Sequence, residues 1–218
     1  MTADFRPIGL LGGTFDPIHL AHLNIANTIL QKLNFKEVRL IPSKKPPHRE
    51  SPNVSAEDRL NMVKLALLDF PELSVDDREL QREGISYAVD TLHSIRTEVG
   101  PHQSLCFIMG ADAFASLNQW KDWQGLLKLA HFIVVNRPGF ILPQAQWLQT
   151  LLDAHEIKEP EKLKIVPAGC VYFQQLPPSA ISATQVRCKS EHCDHLPEVT
   201  PKVKEYIQKH HLYKQHAH

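Results

Sequence analysis

Short apolar runs alternate along this chain with longer stretches of helical periodicity. Ile8–Leu11, Val38–Ile41, Leu105–Met109 and Phe132–Val135 are aliphatic or aromatic and bounded by polar segments, as expected of strands buried on both faces of a sheet. Between them, Ala26, Ile29, Leu30 and Leu33 recur at helical spacing, and Leu60, Val63 and Leu67 do so behind a Ser55-to-Asp58 capping signal, with Pro71 ending that helix. Further helices are predicted from Tyr87 to about Glu98, before the Gly100-Pro101 break, and from Gln144 to Leu152. This order predicts an α/β protein: a doubly wound, mostly parallel sheet with helices on both faces, forming one domain over residues 1–218 with a frayed tail from about residue 209.

In such sheets ligands bind beyond the carboxyl ends of the strands, where the strand order reverses. Gly12-Gly13-Thr14-Phe15-Asp16-Pro17-Ile18-His19-Leu20-Ala21-His22 lies at the first of these ends. Paired glycines let backbone amides approach phosphate oxygens at a helix start. Pro17 reads as a start signal just ahead of the helix, and His19 and His22, three apart, share one face of its first turn. The stretch is neither a Walker loop nor a G-x-G-x-x-G fingerprint. The two rings can also be read as capping and packing groups or as a zinc pair, readings that leave Gly12-Gly13 unexplained. Pro42 to Pro52, with Lys44, Lys45, His48 and Arg49, is predicted to be a basic loop on the same rim, and Lys158 to Lys164 a charged surface linker.

Ser182, Thr184 and Arg187 stand at i, i+2 and i+5. At a helix start the hydroxyls and free amides point forward while the guanidinium reaches from the next turn, a group able to grip a polyphosphate. An ordinary serine cap beside a surface arginine is the competing account.

Composition narrows the partners. Lysine plus arginine equals aspartate plus glutamate at 24 each in 218 residues, so no overall positive field gathers a nucleic-acid backbone or an anionic membrane. A tRNA-charging enzyme, which shares a paired-histidine signature, fits neither the length nor the charge. The polar N-terminus and the short apolar run after it suit neither a signal peptide nor a membrane span, and a cytoplasmic protein is expected. Cys106, Cys170, Cys188 and Cys193 form no C-x-x-C pair and are expected reduced. Cys188, His192, Cys193 and His195 offer four zinc ligands in principle, against a plain polar loop.

Together, G-G-T-F-D-P-I-H-x-x-H near one end and I-S-x-T-x-x-R near the other resemble the nucleotidyltransferase superfamily of adenylyl- and cytidylyltransferases. Pro46-Pro47-His48-Arg49, Asp77-Arg78-Glu79-Leu80 with Ser86-Tyr87, Gly110-Ala111-Asp112, Trp120 and Asn136-Arg137-Pro138-Gly139 are similar, within it, to bacterial nicotinate mononucleotide adenylyltransferases. The resemblance runs from Ile8 to about Tyr213 and implies a Rossmann-like fold. It also implies transfer of AMP from ATP to nicotinate mononucleotide, giving deamido-NAD and pyrophosphate, with Mg2+ accompanying the ATP.

By the same resemblance Gly12, Gly13, Thr14, Phe15, His19 and His22 surround the ATP phosphates, and Gly110 and Asp112 lie by the ribose. Ser182, Thr184 and Arg187 hold the departing pyrophosphate. His48, Arg49, Tyr87 and Arg137 belong to the mononucleotide side, where Trp120 stacks on the pyridine ring and the amides near Val89 and Lys121 receive the carboxylate. Two alternatives remain at this point: a sister enzyme acting on another phosphomonoester such as phosphopantetheine, and a nucleotide-binding protein without turnover.

Overall fold

The computed structural model describes residues 6–47, 51–136, 140–177, 181–192 and 195–214. Seven strands form one sheet: β1 (Ile8–Gly13), β2 (Glu37–Pro42), β3 (Leu73–Val75), β4 (Leu105–Gly110), β5 (His131–Asn136), β6 (Glu156–Ile157) and β7 (Val171–Gln175), in the order β3-β2-β1-β4-β5-β7-β6. Every pairing is parallel, with Gly13 opposite Pro42 at the rim and Leu11 opposite Ile108 inside. The order reverses between β1 and β4, which opens the crevice beside the glycine turn.

Nine α-helices flank the sheet among the described residues: α1 (Leu20–Lys32), α2 (Ala56–Leu67), α3 (Arg78–Gln81), α4 (Ala88–Val99), α5 (Ala111–Ala115), α6 (Trp123–Leu129), α7 (Gln146–His155), α8 (Ala183–His192) and α9 (Pro201–Lys209). The pleat sorts the strands' side chains to two cores. Leu11, Ile108, Ile133 and Val135 join Ala26, Ile29, Met62, Val63, Val186, Val203 and Ile207 on one face. Leu10, Phe107, Phe132 and Val134 join Leu92, Ile95, Phe114, Leu126 and Leu148 on the other. Both faces are therefore covered, which explains why these strands read as unbroken apolar runs.

Several boundaries differ from expectation. The first helix begins at Leu20 with His19 at its N-cap, and Asp16-Pro17 is a cis peptide bond, so Pro17 belongs to the loop. Ser55 does cap α2, accepting a hydrogen bond from the Asp58 amide at 3.0 Å. Pro42 closes β2 at the strand end, where its missing N–H is tolerated. The charged stretch from Lys158 is no simple linker: it contains a 3-10 segment, Pro160–Lys164, whose Leu163 is buried and accepts a hydrogen bond from the Ser104 hydroxyl at 2.6 Å. The polar loop expected around Cys188 is part of α8. The chain beyond Lys209 stays packed at least to Tyr213, whose hydroxyl donates to the Asp16 carboxylate at 2.8 Å. No helix among the described residues is long and apolar enough to cross a membrane.

Candidate active site

The glycine turn leaves β1 at the rim and is shaped by Phe15. A side chain on Gly13 would meet the Phe15 ring at 2.9 Å, and Phe15 itself sits at φ 48°, so the turn closes only with glycine there. The Phe15 ring then stands edge-on to His22 at 5.1 Å, and His22 stacks on His19 with centroids 3.8 Å apart. One imidazole is the N-cap residue and the other lies in the first turn of α1, with the His22 amide donating to the His19 carbonyl at 3.0 Å. The predicted convergence of glycines and imidazoles is present. One helical amide is spent elsewhere: Leu20 N–H donates to the Glu198 carbonyl at 2.8 Å.

Residues from the far end of the chain complete this corner. Ser182 and Gln185 form a reciprocal capping box at the start of α8: the Gln185 amide donates to the Ser182 hydroxyl, and the Ser182 amide donates to the Gln185 side-chain oxygen. One turn on, Arg187 donates from Nη1 to the Asp16 carbonyl at 2.7 Å and from Nη2 to the Thr184 hydroxyl at 3.3 Å. Serine capping and a phosphate-gripping trio were competing accounts of these residues. The cap is present, and the arginine is no stray surface group, because it rests on the glycine turn.

The turn is held from beneath by a residue that no local motif marks. Arg59 of α2 is 1% exposed and donates to the carbonyls of Thr14 (2.6 Å), Ser43 (2.7 Å) and Lys44 (3.3 Å). Burial pushes its pKa down, while the Asp16 carboxylate favours its charge. Asp16 is itself buried, its Oδ2 accepting from the Asn53 amide at 2.8 Å. Ser43, whose amide donates to the Gly13 carbonyl at 2.9 Å, has a buried hydroxyl without a partner among the described residues. The Asn136 side-chain oxygen, at the end of β5, is in the same condition. The partners of Arg59 and Asp16 are distant in sequence, and only a three-dimensional arrangement reveals them.

Across the crevice, Gly110 caps α5 and the exposed Asp112 folds back over its α-carbon. Trp120 is half-buried with its ring edge-on to Phe107 at 6.2 Å, and Phe107 in turn packs beside Gly12. Lys121 lies over the Tyr87 ring, 4.6 Å from its centroid, and 3.4 Å from the Asp90 carboxylate. Tyr87 is the N-cap residue of α4, and Val89 is buried in the first turn, where helical amides have no intrahelical acceptor. Ser86 ties the basic loop to this corner: its hydroxyl accepts from the Lys44 amide at 3.0 Å and its own amide donates to the Lys45 carbonyl at 3.0 Å. Behind it, buried Glu79 accepts from the Thr91 hydroxyl at 2.6 Å, and burial raises its carboxyl pKa.

Tyr87, Val89, Trp120 and Lys121 thus gather on one wall, and Gly12 to Phe15, His19, His22, Thr184 and Arg187 on the other. Trp123 and Trp147, half-buried against the second core, pack edge to face with each other at 5.3 Å. His48, Arg49 and Arg137 lie outside the described residues, as do Cys193 and the His192 side chain of the zinc alternative. Chemically, the histidine-bearing wall presents imidazoles and a guanidinium suited to growing negative charge, and the tryptophan-bearing wall an aromatic face beside helix-start amides.

The cytidylyltransferase-like family model matches residues 10–189. A curated protein of Coxiella burnetii (strain RSA 331 / Henzerling II) named "Probable nicotinate-nucleotide adenylyltransferase" is 43% identical over 215 residues, covering 97% of this chain and 100% of its own length. One of the same name from Halorhodospira halophila (strain DSM 244 / SL1) is 46% identical over 189 residues, covering 86% of this chain and 85% of its own. Among solved structures, Plasmodium falciparum nicotinic acid mononucleotide adenylyltransferase complexed with NaAD shares the fold, with a TM-score of 0.71 at 18% identity, covering 95% of this chain and 97% of that one. With both ends of the motif set closed on one crevice and this identity along nearly its whole length, the chain belongs to the cytidylyltransferase-like family and, within it, to the nicotinate-nucleotide adenylyltransferases.

Proposed function

We propose that this protein transfers AMP from ATP to nicotinate mononucleotide, releasing pyrophosphate and forming deamido-NAD. The observation that carries this reading is the docking of Arg187 on the Asp16 carbonyl, which brings the α8 start to the glycine turn and its stacked imidazoles. The resemblance of both segments to family motifs, and the 43% identity to a relative bearing that name, support it.

A phosphate oxygen of the mononucleotide attacks the α-phosphorus of ATP, the bond to the α,β-bridging oxygen breaks, and the electron pair leaves with pyrophosphate. The attacking oxygen already carries its charge, so no protein nucleophile is required and catalysis is alignment plus charge stabilisation. His19, His22 and the glycine amides face the triphosphate. Ser182, Thr184 and Arg187 take the charge that accumulates on the leaving pyrophosphate. Gly110 and Asp112 lie by the ribose, Trp120 offers its face to the pyridine ring, and Tyr87, His48, Arg49 and Arg137 line the mononucleotide side.

Mg2+ accompanying the ATP would shield the charge of its phosphates. A corner built of amides, imidazoles and a guanidinium, with the Asp16 carboxylate already engaged by Asn53 and Tyr213, fits a metal carried by the nucleotide rather than held by side chains. The protein acts in the cytoplasm as one domain, with ATP and the mononucleotide as its partners.

The test is pyrophosphate release from ATP and Mg2+ with nicotinate mononucleotide, its amide counterpart and 4′-phosphopantetheine. Preference for the acid is expected, since helix-start amides near Val89 match a carboxylate and mismatch an amide's own donors. Turnover of phosphopantetheine alone would assign the chain to a sister activity. ATP binding without turnover of any acceptor would make it a binding protein.

A further inference from the structure

Asp16, in the glycine turn, makes three separate long-range attachments. Its backbone carbonyl accepts from Arg187, its Oδ2 from the amide and side chain of Asn53 (2.8 and 3.2 Å), and its Oδ1 from the Tyr213 hydroxyl at 2.8 Å. Asp16 is 6% exposed, so these partners stand in place of water. Burial foremost, and then the Asp16 charge, push the tyrosine pKa up, which keeps its proton available to donate.

Delivering that hydroxyl takes a hooked backbone. After α9 the chain passes through left-handed conformations at His211 (φ 52°) and Tyr213 (φ 63°), uncommon for residues with a side chain. Residues held in such conformations persist when surrounding contacts over-determine them. The hook's base is fastened by other partners: Tyr206 donates to the Asp58 carboxylate at 3.0 Å and accepts from Asn61 at 3.1 Å, which pins α9 to α2. The same tail therefore carries two tyrosine–aspartate contacts, one to the glycine turn and one to α2.

We propose that Asp16 and Tyr213 are positioning residues of the transfer reaction. The Tyr213 hydroxyl fixes the Asp16 carboxylate, and Asp16 in turn sets the Thr14–His19 loop and the Arg187 guanidinium for the phosphates. Neither side chain contacts the reacting atoms. This proposal rests on the adenylyl-transfer reading for its kinetic part alone, because the order of the loop is measurable without turnover.

Tyr213→Phe removes one oxygen and leaves the ring in place. It is expected to lower kcat about tenfold, the effect of one hydrogen bond to a charged group, while KM for both substrates stays within about twofold. Asp16→Asn is expected to lower kcat similarly, and the double variant no further, since the two act through one contact. Tyr206→Phe, on the same tail, is expected to lower the unfolding midpoint while leaving kcat intact.

Hydrogen exchange in the ligand-free protein supplies the readout independent of activity: amides from Thr14 to His19 speed up in Tyr213→Phe and not in Tyr206→Phe. Unchanged kcat and unchanged loop exchange in Tyr213→Phe overturn the proposal. So does an equal kcat loss in Tyr206→Phe, which would make the tail a general support. A parent protein inert toward nicotinate mononucleotide overturns the functional reading instead, and loop exchange then still decides the positioning role.

Discussion

The Arg187 guanidinium reaches across 171 residues of sequence to the Asp16 carbonyl, 2.7 Å away, and spends only part of its donor fork doing so. A second nitrogen meets Thr184 at 3.3 Å. A guanidinium carries five N–H donors in a rigid fork, so donors remain for phosphate oxygens. Replacing Arg187 with alanine is expected to lower kcat by about 10²–10³, the usual effect of deleting one charge-stabilising donor. Lysine at this position restores only part of the rate, because an ammonium cannot hold the carbonyl and an oxyanion with one planar fork. Steady-state kinetics on the two variants check this.

His22 is placed by two ring contacts, His19 stacked at 3.8 Å and Phe15 edge-on at 5.1 Å. In the proposed reaction its interaction with phosphate strengthens as charge accumulates in the transition state. His22→Ala is therefore expected to reduce kcat by about 10²-fold with little change in ATP affinity. Calorimetric ATP binding alongside turnover measures the two separately, and equal losses in both would assign His22 to ground-state binding.

Trp120 stands edge-on to Phe107, with the Tyr87–Lys121 pair on the same wall. Loss of its ring in Trp120→Ala is expected to raise KM for the mononucleotide roughly tenfold, as an aromatic contact of about 1–1.5 kcal/mol would dictate. KM for ATP stays near its parent value. Trp120→Phe keeps a stacking face and recovers most of the effect.

Arg59 satisfies three carbonyls from a buried position without forming a salt bridge among the described residues. Arg59→Met leaves those acceptors unpaired while relieving the cost of a buried charge, and the two effects oppose each other. Three orphaned carbonyls outweigh one desolvated cation here, and a net loss of about 2 kcal/mol is expected in urea titration. The same variant loosens the turn that it underpins, so kcat falls with stability.

His131 sets a pH dependence of folding. Its Nε2 meets the Val166 carbonyl at 2.9 Å and its Nδ1 accepts from the Cys170 amide at 3.0 Å, which fixes the neutral tautomer with the proton on Nε2. Burial, chiefly, lowers its pKa below 6.5, while the Val166 contact opposes this. The unfolded chain then binds the proton more readily than the folded one, so stability falls as pH drops below about 6.5 and levels off beneath the folded pKa. Thermal midpoints across pH 7 to 4 are expected to decline more shallowly in His131→Gln, which offers a donor and an acceptor but does not titrate.

Strands buried on both faces were readable because every position carries the same message, as in β4 and β5, where five of six residues are buried. β3 and β6, of three and two residues, are too short for any periodicity, and β7 ends in glutamines that dilute its apolar signal. The helix α9 escapes notice because only Val203 and Ile207 are buried on it. The site divides in the same way. His19, His22 and Arg187 are visible through local spacing, whereas Asp16, Asn53, Arg59 and Tyr213 gain their meaning from partners 15 to 197 residues away. No local pattern encodes such pairings.

The junction of α8 with the glycine turn also bears on synthesis. In the proposed reaction, a ribosome that has translated both histidines and most of the sheet still holds a polypeptide lacking the residues that receive a departing pyrophosphate. Activity is then expected only once residue 187 and the stretch behind it have cleared the exit tunnel, with nascent fragments bearing the amino-terminal motif silent toward cellular ATP.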